Sequence, residues 1–357
     1  MKSFARLAIP LLLSGCLGGA PAANGGPTGD GGGANTDLLG RPSGGDLAGA
    51  PDGGALDGAA PDGGGVTTEY APYFYTWGWG SNAYAFSSLM DMKNKGGPDA
   101  VTLAFVLSNG GCAVTTDIQS NLADVQAYVA AGGHVKASFG GADGTYLESA
   151  CPDANSLAGA LTAFVEATGI TDLDFDIEQG AATSNAAINA MRASALAQVQ
   201  AKKGIRVAFT LPVNPDGLDA LGLAVVQSAL SAGVQISFVN VMTMDYGDGT
   251  DLSTTPIASV DATAAQVQSL IAGATLDQAY RMVGATPMIG KNDDNETFSI
   301  ADAQALIAHA KLKRLGLVSF WAIQRDEKCP SATNLDVCNV AGSSTFQFSQ
   351  IFAGVNH

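Results

Sequence analysis

Beyond its first fifteen residues the chain has no apolar run approaching the ~20 residues that a membrane-spanning helix needs. It is also poor in positive charge. Only 17 Lys and Arg stand against 33 Asp and Glu, a formal net charge of −16. Such a surface repels nucleic acid and anionic membranes, which are bound by cations facing phosphate. It does not oppose a neutral polymer such as a polysaccharide. No Cys-x-x-Cys spacing and no His beside a Cys is present, so the usual metal ligand sets are missing. A Gly-rich phosphate turn after an early strand is missing too. The nearest stretch, Ser138-Phe139-Gly140-Gly141, lacks the GxGxxG spacing of dinucleotide-binding folds. We therefore expect no metal, no cofactor and no nucleic-acid partner.

What is present begins with an export signal. Lys2 and Arg6 precede the apolar run Leu7 to Leu13, too short to span a bilayer, and small residues follow. Leu13-Ser14-Gly15-Cys16 resembles a bacterial lipobox, in which the Cys is acylated and becomes the mature N-terminus. Leu17 follows where Asp would signal inner-membrane retention. The expectation is an exported protein fixed to the cell envelope, at the outer membrane or cell surface, through lipid on Cys16 alone. Residues 17–66 hold 18 of the 45 glycines, one cation (Arg41) and no aromatic residue. Ala50-Pro51-Asp52-Gly53-Gly54 recurs at Ala60-Pro61-Asp62-Gly63-Gly64. Nothing here buries enough apolar area to offset the entropy of ordering, so 16–66 reads as a disordered tether with a reach of roughly 40 Å. The organisation expected is a signal at 1–15, the tether, and a monomeric domain at 67–357.

Four cysteines remain besides Cys16, and four allow three pairings. Cys329 and Cys338 flank a short polar loop and are expected to pair, leaving Cys112 with Cys151. An oxidising compartment would preserve both bonds.

From about Glu69 short β-rich runs alternate with longer helical ones. The spacing predicts strands at 70–75, 101–107, 135–139, 170–177, 205–211, 238–244, 282–288 and 317–321. Helices are predicted between them, among others at 117–131, 155–168, 186–202, 218–232 and 300–312. Eight strands with intervening helices fit an α/β fold, a single-domain (β/α)8 TIM barrel, better than an open doubly wound sheet.

The chemistry concentrates on the fourth strand, Asp172-Leu173-Asp174-Phe175-Asp176-Ile177-Glu178. Strand side chains alternate faces, so Asp174, Asp176 and Glu178 share one face, while Leu173, Phe175 and Ile177 share the other. In a barrel the apolar set meets the helices and the acids line the lumen. Glu178 then lies nearest the C-terminal face, where barrel active sites sit. Carboxylates this close cannot all ionise comfortably, so a proton is retained, and a protonated acid can donate to a leaving oxygen. A calcium loop is the weaker reading, because Leu, Phe and Ile, not Gly and turn residues, separate the acids.

This DxDxE strand resembles the signature of family 18 glycoside hydrolases, usually written DGxDxDxE. The resemblance extends over most of residues 69–357. Ser138-Phe139-Gly140-Gly141 is similar to the family's SxGG on the third strand, Val239-Asn240-Val241-Met242-Thr243-Met244-Asp245-Tyr246 to its sixth-strand motif, and Trp321 to its eighth-strand Trp. Two departures stand out. Thr171-Asp172 replaces the family's Asp-Gly, and Met244 stands where many members have a Tyr that contacts the substrate's acetamido group. Tyr246, two residues on, is expected to replace that phenol.

The resemblance implies a chitinase-like enzyme cutting N-acetylglucosamine polymers with retention and substrate assistance. It implies that Glu178 is the acid, that Asp176 holds the acetamide, and that Asp174 tunes Asp176, with Tyr246 and Asp245 nearby. Trp321 is expected beneath the sugar, with Met242, Trp77, Ser138 and Gly140 completing the substrate site. Trp79 is shared between stacking and core packing. Lys291-Asn292-Asp293-Asp294-Asn295-Glu296 reads as a solvated acidic turn; Arg325-Asp326-Glu327 reads as either a sugar contact or a surface ion pair. The partner implied is chitin or an N-acetylglucosamine-containing oligosaccharide. Rival readings are an endo-β-N-acetylglucosaminidase, a non-hydrolytic chitin-binding barrel and a structural lipoprotein; the last two do not explain an intact Glu178.

Overall fold

A computed structural model describes residues 67–329 and 336–356. The signal, Cys16 and the tether lie outside the described residues. Nine parallel strand segments make one sheet: β1 (Glu69–Tyr70), β2 (Tyr73–Tyr75), β3 (Ala100–Val106), β4 (His134–Gly140), β5 (Asp172–Asp176), β6 (Arg206–Pro212), β7 (Ile236–Met242), β8 (Val283–Thr286) and β11 (Leu317–Val318). β9 (Gly290–Lys291) and β10 (Thr297–Phe298) form a separate antiparallel hairpin. The sheet runs β1-β11-β8-β7-β6-β5-β4-β3-β2. Its two ends are pieces of the same run, interrupted at Ala71-Pro72, where proline has no N–H to give the ladder. Tyr73 N–H donates to Phe320 O at 3.0 Å, and Thr102 N–H donates to Pro72 O at 2.9 Å. The sheet therefore closes on itself as an eight-stranded barrel.

The helices are α1 (Leu89–Asn94), α2 (Asp117–Ser120), α3 (Leu122–Ala130), α4 (Leu147–Ala150), α5 (Ala154–Thr168), α6 (Ala181–Ser184), α7 (Ala186–Lys203), α8 (Ala220–Ser231), α9 (Thr255–Leu270), α10 (Leu276–Met282), α11 (Ile300–Lys313) and α12 (Gln347–Ala353). The long ones carry their own stops. Asp153 caps α5 by accepting from Ser156 N–H, and Gly169 ends it at φ 74°. Asn185 caps α7, and Gly204 ends it at φ 63°. Such left-handed ends suit glycine, which has no Cβ to clash.

Three elements differ from the sequence expectation. The helix expected at 117–131 breaks at Asn121 into α2 and α3. Met282, expected to start a strand, ends α10, which a Thr275–Gln278 capping box starts. The last strand is regular only at Leu317–Val318 and continues as an isolated bridge between Met288 and Trp321.

Leu173, Phe175 and Ile177 face outward into the helix layer, within one core that includes Leu161, Phe164 and Leu196. Phe139 stacks on Phe175 with ring centroids 5.3 Å apart. The lumen floor is ionic. Lys136 Nζ lies 2.7 Å from Glu69 Oε2 and 3.6 Å from Asp172 Oδ2; Arg206 Nη1 lies 2.7 Å from Asp172 Oδ2. Burial pushes the Asp172 carboxyl up, but the His134 hydrogen bond and the Lys136 and Arg206 charges outweigh it and hold it below the usual range. The Asp172 charge is thus neutralised locally.

Disulfides Cys112–Cys151 and Cys329–Cys338 are both formed. The first joins the loop after β3 to the end of α4. Among the described residues, no helix is long and apolar enough to cross a membrane.

Removing one partner from a buried ion cluster leaves the others uncompensated. Lys136→Met should cost about 3–5 kcal/mol in denaturant unfolding. Because the Asp172 pKa is lowered on folding, its contribution is present above the unfolded carboxylate range and is lost as pH falls through the folded value. The gap between wild type and Lys136→Met should therefore narrow on acidification.

Candidate active site

Within β5, Asp174 and Asp176 both point into the lumen and are buried. Asp174 is fully served by donors. Its Oδ2 accepts from Ser138 Oγ at 2.7 Å and lies 3.0 Å from the Tyr73 hydroxyl; its Oδ1 accepts from Thr210 Oγ1 at 2.8 Å. Asn240 Nδ2 donates to Thr210 Oγ1 at 3.0 Å and to Thr286 Oγ1 at 2.7 Å, so the network crosses strands β2 and β4 through β8. Burial raises the Asp174 carboxyl, and these hydrogen bonds pull it back toward the ionised form.

Asp176 is served differently. Its Oδ2 lies 3.3 Å from the Tyr73 hydroxyl, while its Oδ1 is buried and has no donor among the described residues. Burial, then the neighbouring Glu178 charge, push its pKa well above the carboxylate range. Glu178 is half-buried at the mouth and is also raised, first by burial and then by the charges of Asp245 and Asp143. Two neighbouring carboxyls that burial raises together hold a proton to higher pH than isolated carboxylates do.

The glycines after Ser138 are required by a close approach. A Cβ on Gly140, at φ 112°, would sit 2.0 Å from the Asp176 carbonyl oxygen. One on Gly141 would meet the Phe105 ring at 2.7 Å. Gly141 N–H donates to that Asp176 carbonyl at 3.0 Å, fixing the strand end that carries the acids.

An aromatic wall stands beside them. Trp321 stacks on Phe105 with centroids 5.5 Å apart and an interplanar angle of 13°. It also lies 4.9 Å from Tyr75, on which Trp77 stacks at 4.5 Å and 12°. Trp77 is 49 % exposed, a wide apolar face offered to solvent. Trp79 has a structural position: it packs on Phe74, and its Nε1–H donates to Asp124 Oδ2 at 2.8 Å. Met242 ends β7 on the same face as Asn240, two residues above it.

The loop after β7 departs from the alternation on which the Tyr246 expectation rested. Asp245 adopts φ 55°, which breaks the strand geometry. The Tyr246 hydroxyl therefore meets Ser259 Oγ of α9 at 2.8 Å, so the structure does not join it to the acids. Asp245 stays with the acids, and its charge is felt at Glu178. The run after β8 is a clamp as well as an acidic turn. Asn292 Oδ1 accepts from Asp245 N–H at 3.3 Å, and Glu296 Oε1 accepts from Tyr246 N–H at 2.7 Å. Asn292 and Glu296 are buried, not solvated.

The surface ion pair expected of Arg325-Asp326 is corrected: both side chains are buried, and Arg325 Nη2–H donates to the Lys291 carbonyl at 2.5 Å. Asp326 instead accepts from Phe348 N–H, Ser349 N–H and Ser349 Oγ at the start of α12.

Sequence reasoning missed Tyr73, Thr210 and Thr286, and gave Asn240 no role of its own. The signal for Thr210 and Asn240 was a polar residue inside an otherwise apolar strand, where an unpaired polar group would be costly.

No family model matches the sequence. Curated relatives do. A probable bifunctional chitinase/lysozyme of Escherichia coli (strain K12) is 32% identical over 283 residues, 71% of this chain and 31% of that protein. Endochitinase 11 of Metarhizium anisopliae is 34% identical over 249 residues, 63% of this chain and 47% of that one. The chain thus spans about a third and about half of the lengths of these relatives. The catalytic domain of a hyperthermophilic chitinase from Pyrococcus furiosus superposes with a TM-score of 0.73 at 27% identity, over 81% of this chain and 95% of that one. The chain belongs to glycoside hydrolase family 18. A family 18 chitinase of Chromobacterium violaceum, 18% identical with a TM-score of 0.55 over 81% of this chain and 83% of that one, shares the fold. The family's DxDxE motif is therefore Asp174, Asp176 and Glu178 here, with Asp172 in place of its glycine.

Gly140→Ala would force β4 away from the Asp176 carbonyl at a backbone angle that a side chain resists. We expect a loss of about 2 kcal/mol or more of stability by chemical denaturation. Gly159→Ala, in α5 with open space around it, should be neutral or stabilising.

Proposed function

We propose that this protein is a chitinase-like hydrolase that cuts β-1,4 bonds between N-acetylglucosamine units with retention. The observation that carries this reading is the unequal service of the three acids. Asp174 accepts from Ser138 and Thr210, Asp176 has a buried oxygen with no donor among the described residues, and Glu178 at the mouth is raised by burial. A buried acceptor left empty marks the place of a substrate N–H. A carboxylic acid kept protonated beside it marks the donor to a leaving oxygen.

The reaction then runs in two steps. Glu178 gives its proton to the glycosidic oxygen as the bond from that oxygen to the anomeric carbon breaks. The carbonyl oxygen of the substrate's own 2-acetamido group forms the new bond to that carbon, while Asp176 Oδ1 accepts the acetamide N–H. A water then gives a proton to Glu178 and its oxygen to the anomeric carbon, which reopens the ring and restores the acid. Asp174 lies beneath Asp176 and, through its charge, tunes the proton of the pair. Trp321 supplies the floor for the sugar's apolar face, and Trp77 extends that surface. Ser138 holds Asp174, Gly140 lets β4 approach the Asp176 carbonyl, and Met242 lines the pocket wall. Asp245 raises the Glu178 pKa by its charge.

Relatives support the substrate class: catalytic-site mutants of active domain 2 of the Pyrococcus furiosus chitinase, 28% identical to this chain, were crystallised with chito-oligosaccharides. We further propose that the protein is exported and held at the cell envelope by lipid on Cys16, its barrel working at the end of the 16–66 tether. Cys16→Ser should release it from the membrane fraction.

Glu178→Gln should abolish hydrolysis of chito-oligosaccharides, by at least about 10³-fold in kcat, while leaving their binding intact. Retained turnover would remove Glu178 from the role of acid, and release of N-glycans without chito-oligosaccharides would favour a glycan endoglycosidase. The pH profile is a second test. A raised Glu178 pKa keeps the donor protonated above the ordinary carboxylate range, near 4.3, and activity declines as pH rises through that raised value. Asp245→Asn withdraws a charge that raises it, so the alkaline limb of kcat should move to lower pH.

A further inference from the structure

We infer that the short helix α4 is a clamp that positions Glu178, and that the Cys112–Cys151 disulfide anchors the clamp. The inference rests on the hydrolase reading for its catalytic consequence, not for its structural content.

Glu178 lies just beyond the end of β5, where the sheet ladder no longer holds it. Its backbone N–H donates to the Tyr146 hydroxyl at 3.0 Å, and that hydroxyl donates to the Gly141 carbonyl at 2.8 Å. Tyr146 is buried, and its ring lies over Gly140. One phenol therefore joins the acid's backbone to the glycine turn that β4 presses against Asp176.

The same short segment holds the far end of the loop. Tyr146 is the residue from which α4 starts, and two residues on, Glu148 accepts from Arg192 Nε at 2.6 Å. Arg192, on α7, turns its Nη2–H to the Thr183 carbonyl at 2.5 Å and its Nη1–H to Asn189 Oδ1 at 3.0 Å. Asn189 in turn donates to the Ser184 carbonyl at 2.8 Å. Residues 178 to 184 are thus tied at Glu178 by Tyr146 and at Thr183–Ser184 by the Glu148–Arg192 pair. Both side chains of that pair are buried, and neither touches the acids.

A four-residue helix has little intrinsic stability, since nucleation alone outweighs so few hydrogen bonds. The covalent bond compensates. Cys151 follows α4 immediately and is joined to Cys112 in the loop after β3. Tyr146 and Glu148 are positioning residues: they act through the backbone they hold.

The test combines amide exchange with kinetics on the full chain. Tyr146→Phe removes only the hydroxyl, so it should fold. We expect faster deuterium uptake in the peptide covering residues 177–184, with kcat on chito-oligosaccharides roughly tenfold lower and KM within about twofold, as misplacement of a reacting group predicts. Arg192→Lys, which keeps the charge but loses the fork, should raise uptake in the same peptide. The Cys112→Ser/Cys151→Ser double variant should raise it also, whereas Cys329→Ser/Cys338→Ser should not. Unchanged uptake in Tyr146→Phe would overturn the clamp, whatever the activity. Raised uptake with unchanged kcat would overturn its positioning role. A wild type that hydrolyses nothing would defeat the hydrolase reading, while the exchange data would still decide whether α4 holds this segment.

Discussion

Every feature of the site follows from packing four acidic side chains of one parity into the lumen of β5. Such a column is tolerable only if every carboxyl is compensated, and the four receive three kinds of compensation. Asp172, at the floor, is neutralised by Lys136 and Arg206. Asp174 is hydrogen-bonded by hydroxyls from three strands. Asp176 and Glu178 are raised toward the protonated form, first by burial. The gradient from ion pair to hydrogen bond to retained proton runs toward the mouth, and it places the protonated end where a ligand can enter.

The scaffold serves this gradient. Barrel closure through the interrupted first strand brings Tyr73 across the lumen from β5, and the missing proline N–H is the local cost of that bend. The outward parity of Leu173, Phe175 and Ile177 ties the same strand into the helix layer. A one-residue slip of register would exchange the two sets, so burial of the apolar face and alignment of the acids are one constraint.

Much of this was legible in the sequence because it depends on period. Alternation in Asp172 to Glu178 gave the inward column, and the repeat of short strands and long helices gave the barrel. Cys329 and Cys338 declared their pairing by proximity. Other features depend on side chains brought together across strands, and a single chain carries no direct record of those. Tyr73, Thr210 and Asn240 belong to this class, as does the Tyr146–Arg192 clamp. Alternation also misled where the backbone left it. Asp245, in a left-handed conformation, sends the Tyr246 phenol to α9. Arg325 and Asp326 looked like surface charges because sequence gives no measure of burial; the structure uses Asp326 to hold the start of α12.

The central claim is that Asp176 and Glu178 share a proton in the resting protein. Carbon-13 NMR of the side-chain carboxyls, followed through a pH titration, reads this directly. The account predicts that the pair retains one proton well above the range of ordinary carboxylates and loses it in a coupled step. Two independent titrations near 3.9 and 4.3, the values of isolated Asp and Glu, would contradict it.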